Sequence, residues 1–256
     1  MSVIHHPGPP LVIGHRGAAA VRPENTIPSF EHALALGVDA VEFDVRVTAD
    51  GVAVVHHDAS TARTCGESLT IAQAPLETLR SLDAGAVFDC ANPASQRMLI
   101  PLLDDVLELT RGVPVIVECK TVEAAPLVVA ALRAHGAVDR AIVGSFLHGA
   151  MRFVRASEVA SGASRRDMLG LLVHTALHRR PRRFPCAALC IPEESSGVHL
   201  PVARLAAWGR TLGVPVHVWT VNRAADALRL WDAGVTGILT DDPQVILSAR
   251  AARRTG

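Results

Sequence analysis

Tyrosine is absent from the 256-residue chain, and aromatic residues make up only 4% of it. That leaves no broad aromatic or apolar wall for acyl chains, so small water-soluble ligands are the expectation. Neither sign of charge is in excess: Lys+Arg and Asp+Glu each number 25. A neutral chain has no global field directed at nucleic acid, a membrane surface or an acidic partner. No uninterrupted apolar run reaches spanning length, and the first ten residues hold neither a basic region nor an apolar one of the kind that opens a secretory signal. Stable membrane association is therefore not expected, and a cytoplasmic location is. A disulfide framework is missing too, because the five cysteines (Cys65, Cys90, Cys119, Cys186 and Cys190) are odd in number and scattered, as free thiols in a reducing compartment are. Cys186 and Cys190 are close enough for a metal pair, but no second Cys/His pair at zinc-ligand spacing follows them. Function must then lie in a local site, and oligomeric state is not legible.

What is present is a rhythm. Short Val/Ile/Leu-rich runs at 11–14, 40–45, 115–118, 141–145, 169–173, 188–191, 216–220 and 237–239 alternate with amphipathic stretches at 26–36, 102–110, 124–135, 201–212 and 224–233. Gly37, Gly136, Gly213 and Gly234 stand where helix C-caps belong. Eight strand-then-helix units in about 250 residues predict one (β/α)₈ (TIM) barrel over 1–256 rather than a doubly wound sheet. One long connection interrupts it, an insertion of about 46–99 that starts as a hairpin and continues irregularly. A connection of that length in a compact fold is usually functional, and here it would stand over the barrel mouth as a lid or side wall.

Chemistry-bearing residues fall at the C-terminal ends of predicted strands, where barrel enzymes keep their sites. Glu42 and Asp44 are two apart on a strand and so share a face, while Phe43 points the other way. Glu118 on the neighbouring strand adds a third carboxylate. Three oxygen ligands without a nearby thiolate partner suit Mg²⁺ or Ca²⁺ rather than zinc. Ion pairing with Arg46 or Lys120 would neutralise the same acids equally well. His15 and His57 reach the same mouth from different segments and can serve as general acid and base, whereas His56 should point away. His5, His6, His135 and His178 read as surface or terminal. Arg16 and Lys120 are placed to hold a phosphate. Asn25 reads as a helix N-cap, and Trp219 as either a ligand wall or barrel packing. The arginines 179, 180, 182 and 183 read as a solvated face.

His15-Arg16-Gly17, Pro23-Glu24-Asn25-Thr26, Glu42-Phe43-Asp44-Val45, Thr48-Ala49-Asp50-Gly51 and His57-Asp58 resemble the opening signature of glycerophosphodiester phosphodiesterases. The likeness continues through Glu118-Cys119-Lys120, Ser145-Phe146, Trp219-Thr220-Val221-Asn222 and the run Gly237 to Pro243. It implies a TIM barrel with an insertion after the second strand and a divalent metal, Mg²⁺ or Ca²⁺, on Glu42, Asp44 and Glu118. Acid–base roles fall to His15 and His57, and phosphate contacts to Arg16 and Lys120. The implied reaction hydrolyses a small-molecule glycerophosphodiester to glycerol 3-phosphate and an alcohol. The rivals are a lysophospholipase D-like or cyclising reaction on the same scaffold and a non-catalytic phosphate-binding module. The segment from Ala59 to Cys65 departs from the family's usual run after the second His-Asp, which touches the leaving group more than the chemistry.

Counting also predicts the hairpin. Too few residues separate Asp44 from Val52 for a crossover, so the strand carrying His57 must run antiparallel to the one carrying Asp44. A two-residue Asp50-Gly51 turn would set His57 opposite Asp44, and a four-residue loop would set it opposite Glu42. A register between the two would turn His57 away.

Overall fold

The computed structural model describes residues 2–88, 97–195 and 197–255. Strands β1 (Leu11–His15) and β2 (Ala40–Val47) flank helix α1 (Ile27–Leu36). The insertion follows with β3 (Ala53–Val55), α2 (Ala62–Cys65) and α3 (Leu76–Leu79). The chain then runs through α4 (Leu103–Leu109), β4 (Val115–Cys119), α5 (Ala124–Ala134), β5 (Ala141–Gly144), α6 (His148–Arg155), β6 (Ala160–Ser161) and α7 (Arg165–Ala176). After β7 (Leu189–Pro192) comes a small hairpin, β8 (Glu194–Ser195) and β9 (Val198–His199). Helix α8 (Val202–Leu212), β10 (Val216–Trp219), α9 (Ala224–Asp232), β11 (Gly237–Thr240) and α10 (Pro243–Thr255) complete it.

Eight parallel strands lie in the order β6-β5-β4-β2-β1-β11-β10-β7. The two edges of this sheet come together where Ala187, two residues before β7, donates its N–H to Ser161 O of β6 at 2.8 Å. This is the TIM-barrel arrangement expected from the alternation. Period-two side-chain alternation sorts the residues into two cores. Val12, Val41, Phe43, Val45, Val115 and Val117 point outward against the helices. Leu11, Ile13, Ala40, Ile116, Ile142 and Leu239 fill the barrel interior. Ile4 joins that interior from a 3₁₀ turn (Val3–His5) and plugs its N-terminal end. His5, expected at the surface, is half-buried there, with Nε2 3.0 Å from Ala141 O.

One predicted strand is wrong. Residues 169–173 lie inside α7, capped by Ser164, whose hydroxyl accepts from Asp167 N–H while the Asp167 carboxylate accepts from Ser164 N–H. A five-residue apolar run fits a short strand or a helix segment equally, and the capping box decides for the helix. The true strand, Ala160–Ser161, is too short to show any period.

The insertion is less irregular than expected. Cys65, Ile71, Leu79 and Leu82 of this segment join Val54 and Ile100 in a core of their own beside the barrel. Cys90 lies outside the described residues. Cys65, Cys119, Cys186 and Cys190 are free thiols. Among the described residues, the acidic cluster Glu42, Asp44 and Glu118 has metal-ligand spacing, and Cys186 and Cys190 are in no such group.

Candidate active site

Strand register builds the site. His15 on β1 pairs with Glu42 on β2, and Asp44 on β2 pairs with Glu118 on β4. Partners in a parallel ladder share a face, so all four side chains turn to the interior at the C-terminal ends of their strands. His15, Glu42 and Glu118 line one pocket with Arg16, His57, Lys120, Phe146 and Trp219, and Asp44 lies buried beneath it. Ligand oxygens of Glu42, Asp44 and Glu118 lie within 4.8 Å of one another.

The β2–β3 hairpin is antiparallel, but its register is the intermediate one: Val45 pairs with Val55, Arg46 with Val54 and Val47 with Ala53. A three-residue loop, Ala49-Asp50-Gly51, produces it, because Gly51 at φ 81° takes the left-handed conformation that adds one residue to a two-residue turn. A straight continuation would have sent His57 to the Phe43 face. Instead β3 stops at Val55 and the chain bends, so His57 enters the pocket and His56 packs away, with Nε2 3.1 Å from Thr64 Oγ1. The expectation about register was wrong, and its consequence for the side chain still holds. Parity arguments fail where a strand ends.

Both histidines are held through Nδ1 by a carboxylate. His15 Nδ1–H donates to Asp241 at 2.7 Å, and His57 Nδ1–H donates to Asp58 at 2.7 Å. That tautomer leaves Nε2 of each ring available for proton transfer. Burial disfavours the His15 imidazolium, but the Glu42 carboxylate and the Asp241 hydrogen bond outweigh it and raise its pKa. Asn222 donates to the far oxygen of Asp241 at 2.9 Å and completes that arm. On the other arm, Arg63 binds Asp58 and Glu24. Burial would lift Asp58, yet Arg63 and His57 hold it down to about 2.

Asp44 is the hub. Its carboxylate accepts from Asn25 Nδ2 at 2.9 Å and pairs with Lys120 Nζ at 2.9 Å, while Arg16 Nε stands 3.2 Å away without the alignment of a hydrogen bond. Burial opposes its ionisation, but Lys120 and Arg16 keep its pKa low. Lys120 also reaches Glu118 at 2.8 Å. Lys120 is therefore the ion-pair partner that the sequence left open, whereas Arg46 turns to His57 O instead. Glu42 fares differently: burial, then the charge of Asp44, pushes its carboxyl up to about 7. Lys120 pairs with Asp44 and Glu118, while Glu42 accepts from Arg16 N–H at 3.2 Å and has His15 Nε2 only at 3.8 Å. A divalent cation would remove that penalty, and a hard, all-oxygen donor set fits Mg²⁺ or Ca²⁺.

Asn25 is not the helix cap. Thr26 caps α1, accepting from Ser29 N–H, and Asn25 at φ 57° turns its amide onto Asp44. Arg16 is also left-handed, at φ 51°. Non-glycine residues hold that conformation where the surroundings impose it, and such positions concentrate at functional sites. Sequence reasoning assigned no role to Asp241, Asn222, Asp58, Arg63 or Glu24. The available signal was position, since Asp241 directly follows the last strand and Asp58 follows His57. Trp219 lines the pocket edge-on to Phe146, with ring centroids 6.1 Å apart.

A model of the glycerophosphoryl diester phosphodiesterase family matches residues 15–245. The chain belongs to that family. It is 32% identical over 248 residues to a glycerophosphodiester phosphodiesterase of Caldanaerobacter subterraneus, covering 93% of this chain and 96% of that one. Among solved structures it is similar to an Oleispira antarctica phosphodiesterase in complex with the product sn-glycerol-3-phosphate, with TM-score 0.78, 28% identity and coverage of 94% and 96%. A glycerophosphodiester phosphodiesterase from Agrobacterium tumefaciens has TM-score 0.74, 26% identity and coverage of 93% and 99%. The matched span includes each site residue named above, from His15 to Asp241. No helix among the described residues is long and apolar enough to cross a membrane.

Proposed function

We propose that the chain, acting as one barrel unit over 1–256 with 46–99 as its insertion, hydrolyses small glycerophosphodiesters to glycerol 3-phosphate and an alcohol. The observation that carries this reading is a cluster of three carboxylates at a pocket lined by two carboxylate-held histidines and two cations. Glu42, Asp44 and Glu118 would hold Mg²⁺ or Ca²⁺. When bound, the ion supplies positive charge at the phosphoryl oxygens and orients the attacking oxygen. One histidine, acting at Nε2, takes the proton of the attacking water, and the other protonates the leaving alkoxide. Asp241 and Asp58 fix the tautomers and stabilise the imidazolium in turn. Arg16 and Lys120 offset charge that grows on the non-bridging oxygens. Trp219 and Phe146 form the apolar wall against the glycerol moiety.

The test uses metal-stripped protein with glycerophosphocholine, glycerophosphoethanolamine and lysophosphatidylcholine, adding Mg²⁺ or Ca²⁺ and following products by phosphorus NMR. Glycerol 3-phosphate should appear from the first two only after metal is added. Turnover in excess chelator would remove the metal from the reading. A higher kcat/KM for the lysolipid would move the substrate class, and an accumulating cyclic phosphodiester would replace water as the attacking group.

A further inference from the structure

Helix α7 breaks the pattern expected of an outer barrel helix. Such a helix buries one stripe and gives polar residues to solvent. In α7, Leu171 and Thr175 are buried and the outward face is Leu169, Gly170, Val173 and Ala176, with Leu177 directly after the helix. Leu169 is 65% exposed, Val173 52% and Leu177 64%. Spaced four residues apart, these three form a continuous stripe of roughly 12 Å. The run read as a buried strand in the sequence is apolar because both of its faces are, and only one has a partner within the described residues.

The ends of the stripe are basic. Arg165 and Arg166 stand at its start, and Arg179, Arg180, Arg182 and Arg183 follow its end, all exposed. Across 165–183 a single acid, Asp167, is present, and it is tied to Arg155 at 2.5 Å. The four distal arginines enter no ion pair among the described residues. A chain with no net charge has thus gathered six of its basic residues around its exposed apolar helix face. Taken alone, the arginines read as a solvated face. Beside an exposed apolar stripe they match the two features of a helix lying in a membrane interface, an apolar face inserted at the acyl boundary and arginines on the lipid phosphates.

We propose that α7 and the arginines after it dock the protein reversibly on an anionic lipid surface. The charge pattern selects this occupant over a second copy of the chain, since two such faces brought together would oppose their arginine clusters. Neutrality of the whole makes the attraction local and salt-sensitive.

The full-length protein is sedimented with vesicles of phosphatidylcholine alone or of phosphatidylcholine with one-third phosphatidylglycerol. Two variants accompany it: Leu169→Gln/Val173→Gln/Leu177→Gln, and Arg179→Gln/Arg180→Gln/Arg182→Gln/Arg183→Gln. All seven positions are exposed and outside the pocket, and an unchanged thermal midpoint verifies folding. The protein should partition to the anionic vesicles only, and high salt should release it. The arginine variant should lose on the order of a thousand-fold in partition coefficient, and the apolar variant about ten-fold or more. Absence of partitioning, equal binding to both vesicles, or a triple glutamine variant that binds like the parent overturns the proposal. So does light scattering that shows a dimer abolished by the apolar variant, which would assign the face to a second copy.

Discussion

His217 sits on β10 with its side chain fully buried in the barrel interior, and its Nε2 lies 3.0 Å from Ile4 O. That bond makes Nε2 the protonated nitrogen and leaves buried Nδ1 without a partner. Adding a proton at Nδ1 would place a charged donor among apolar side chains with nothing to accept it. Burial accordingly pushes its pKa from 6.5 down to about 4. Between these values the unfolded chain binds the proton and the folded chain refuses it, so this contribution to stability is complete above pH 6.5 and is lost as pH falls toward about 4. A difference of this size corresponds to about 3 kcal/mol. His15 works in the opposite sense, because its raised pKa favours the folded state at low pH and fades as pH rises through it. Comparison with His217→Gln, which keeps an amide donor toward Ile4 but cannot titrate, isolates the contribution of His217. Urea unfolding across this range should show the parent more stable near neutrality, with the gap closing by about 3 kcal/mol on acidification. If the gap stays constant with pH, His217 is not excluded from protonation and the reasoning fails.

Glu42→Gln should leave the fold intact and weaken Mg²⁺ or Ca²⁺ binding by about ten-fold or more in a calorimetric titration, and chelation should abolish turnover in the parent. His15→Ala and His57→Ala should each lower kcat by about 10²–10⁴, with a double variant far from additive; near-parental activity in either would free that residue from the mechanism. Asp241→Asn removes the bond that raises His15, so the pH limb belonging to His15 should move to lower pH while kcat falls; an unmoved limb would limit Asp241 to structure. A Cβ at Gly237 would overlap His217 Nδ1 and lie 2.9 Å from Ile13 Cδ1, so Gly237→Ala should destabilise by about 1–3 kcal/mol, read as a lower thermal midpoint with kcat little changed.

The barrel was legible because its strands announce themselves. Val12, Val41 and Val117 face helices, while Ile13, Ala40 and Ile116 face the interior, so β1, β2 and β4 read as apolar runs on both faces. Helix ends were legible from local chemistry, as at Gly37, which caps α1 at φ 80°. The failures were also local. Residues 169–173 are apolar on both faces for different reasons, one buried and one exposed, and a run of that kind carries no period. Ala160–Ser161 is a strand only because its neighbours in the barrel complete its hydrogen bonds.

By itself the sequence determined which acids and histidines gather at the barrel mouth. Two acids two apart on a strand must share a face, and His15, Glu42 and Glu118 at strand ends must meet at the mouth once the strands are parallel. Only the tertiary structure decided how those members are held. Asp241 reaches His15 across 226 residues, Arg63 reaches Glu24 across 39, and Asn25 turns onto Asp44 across 19. No local pattern encodes such contacts, since each depends on where the barrel closes. The hairpin shows the boundary between the two kinds of information. Asp50-Gly51 called for a turn and the count of residues for an antiparallel return, but the three-residue loop shows only in the structure, with Gly51 at φ 81° and Val45 opposite Val55. The bend after Val55, which delivers His57 to the pocket, lies beyond the last ladder pair and so beyond what strand parity can predict.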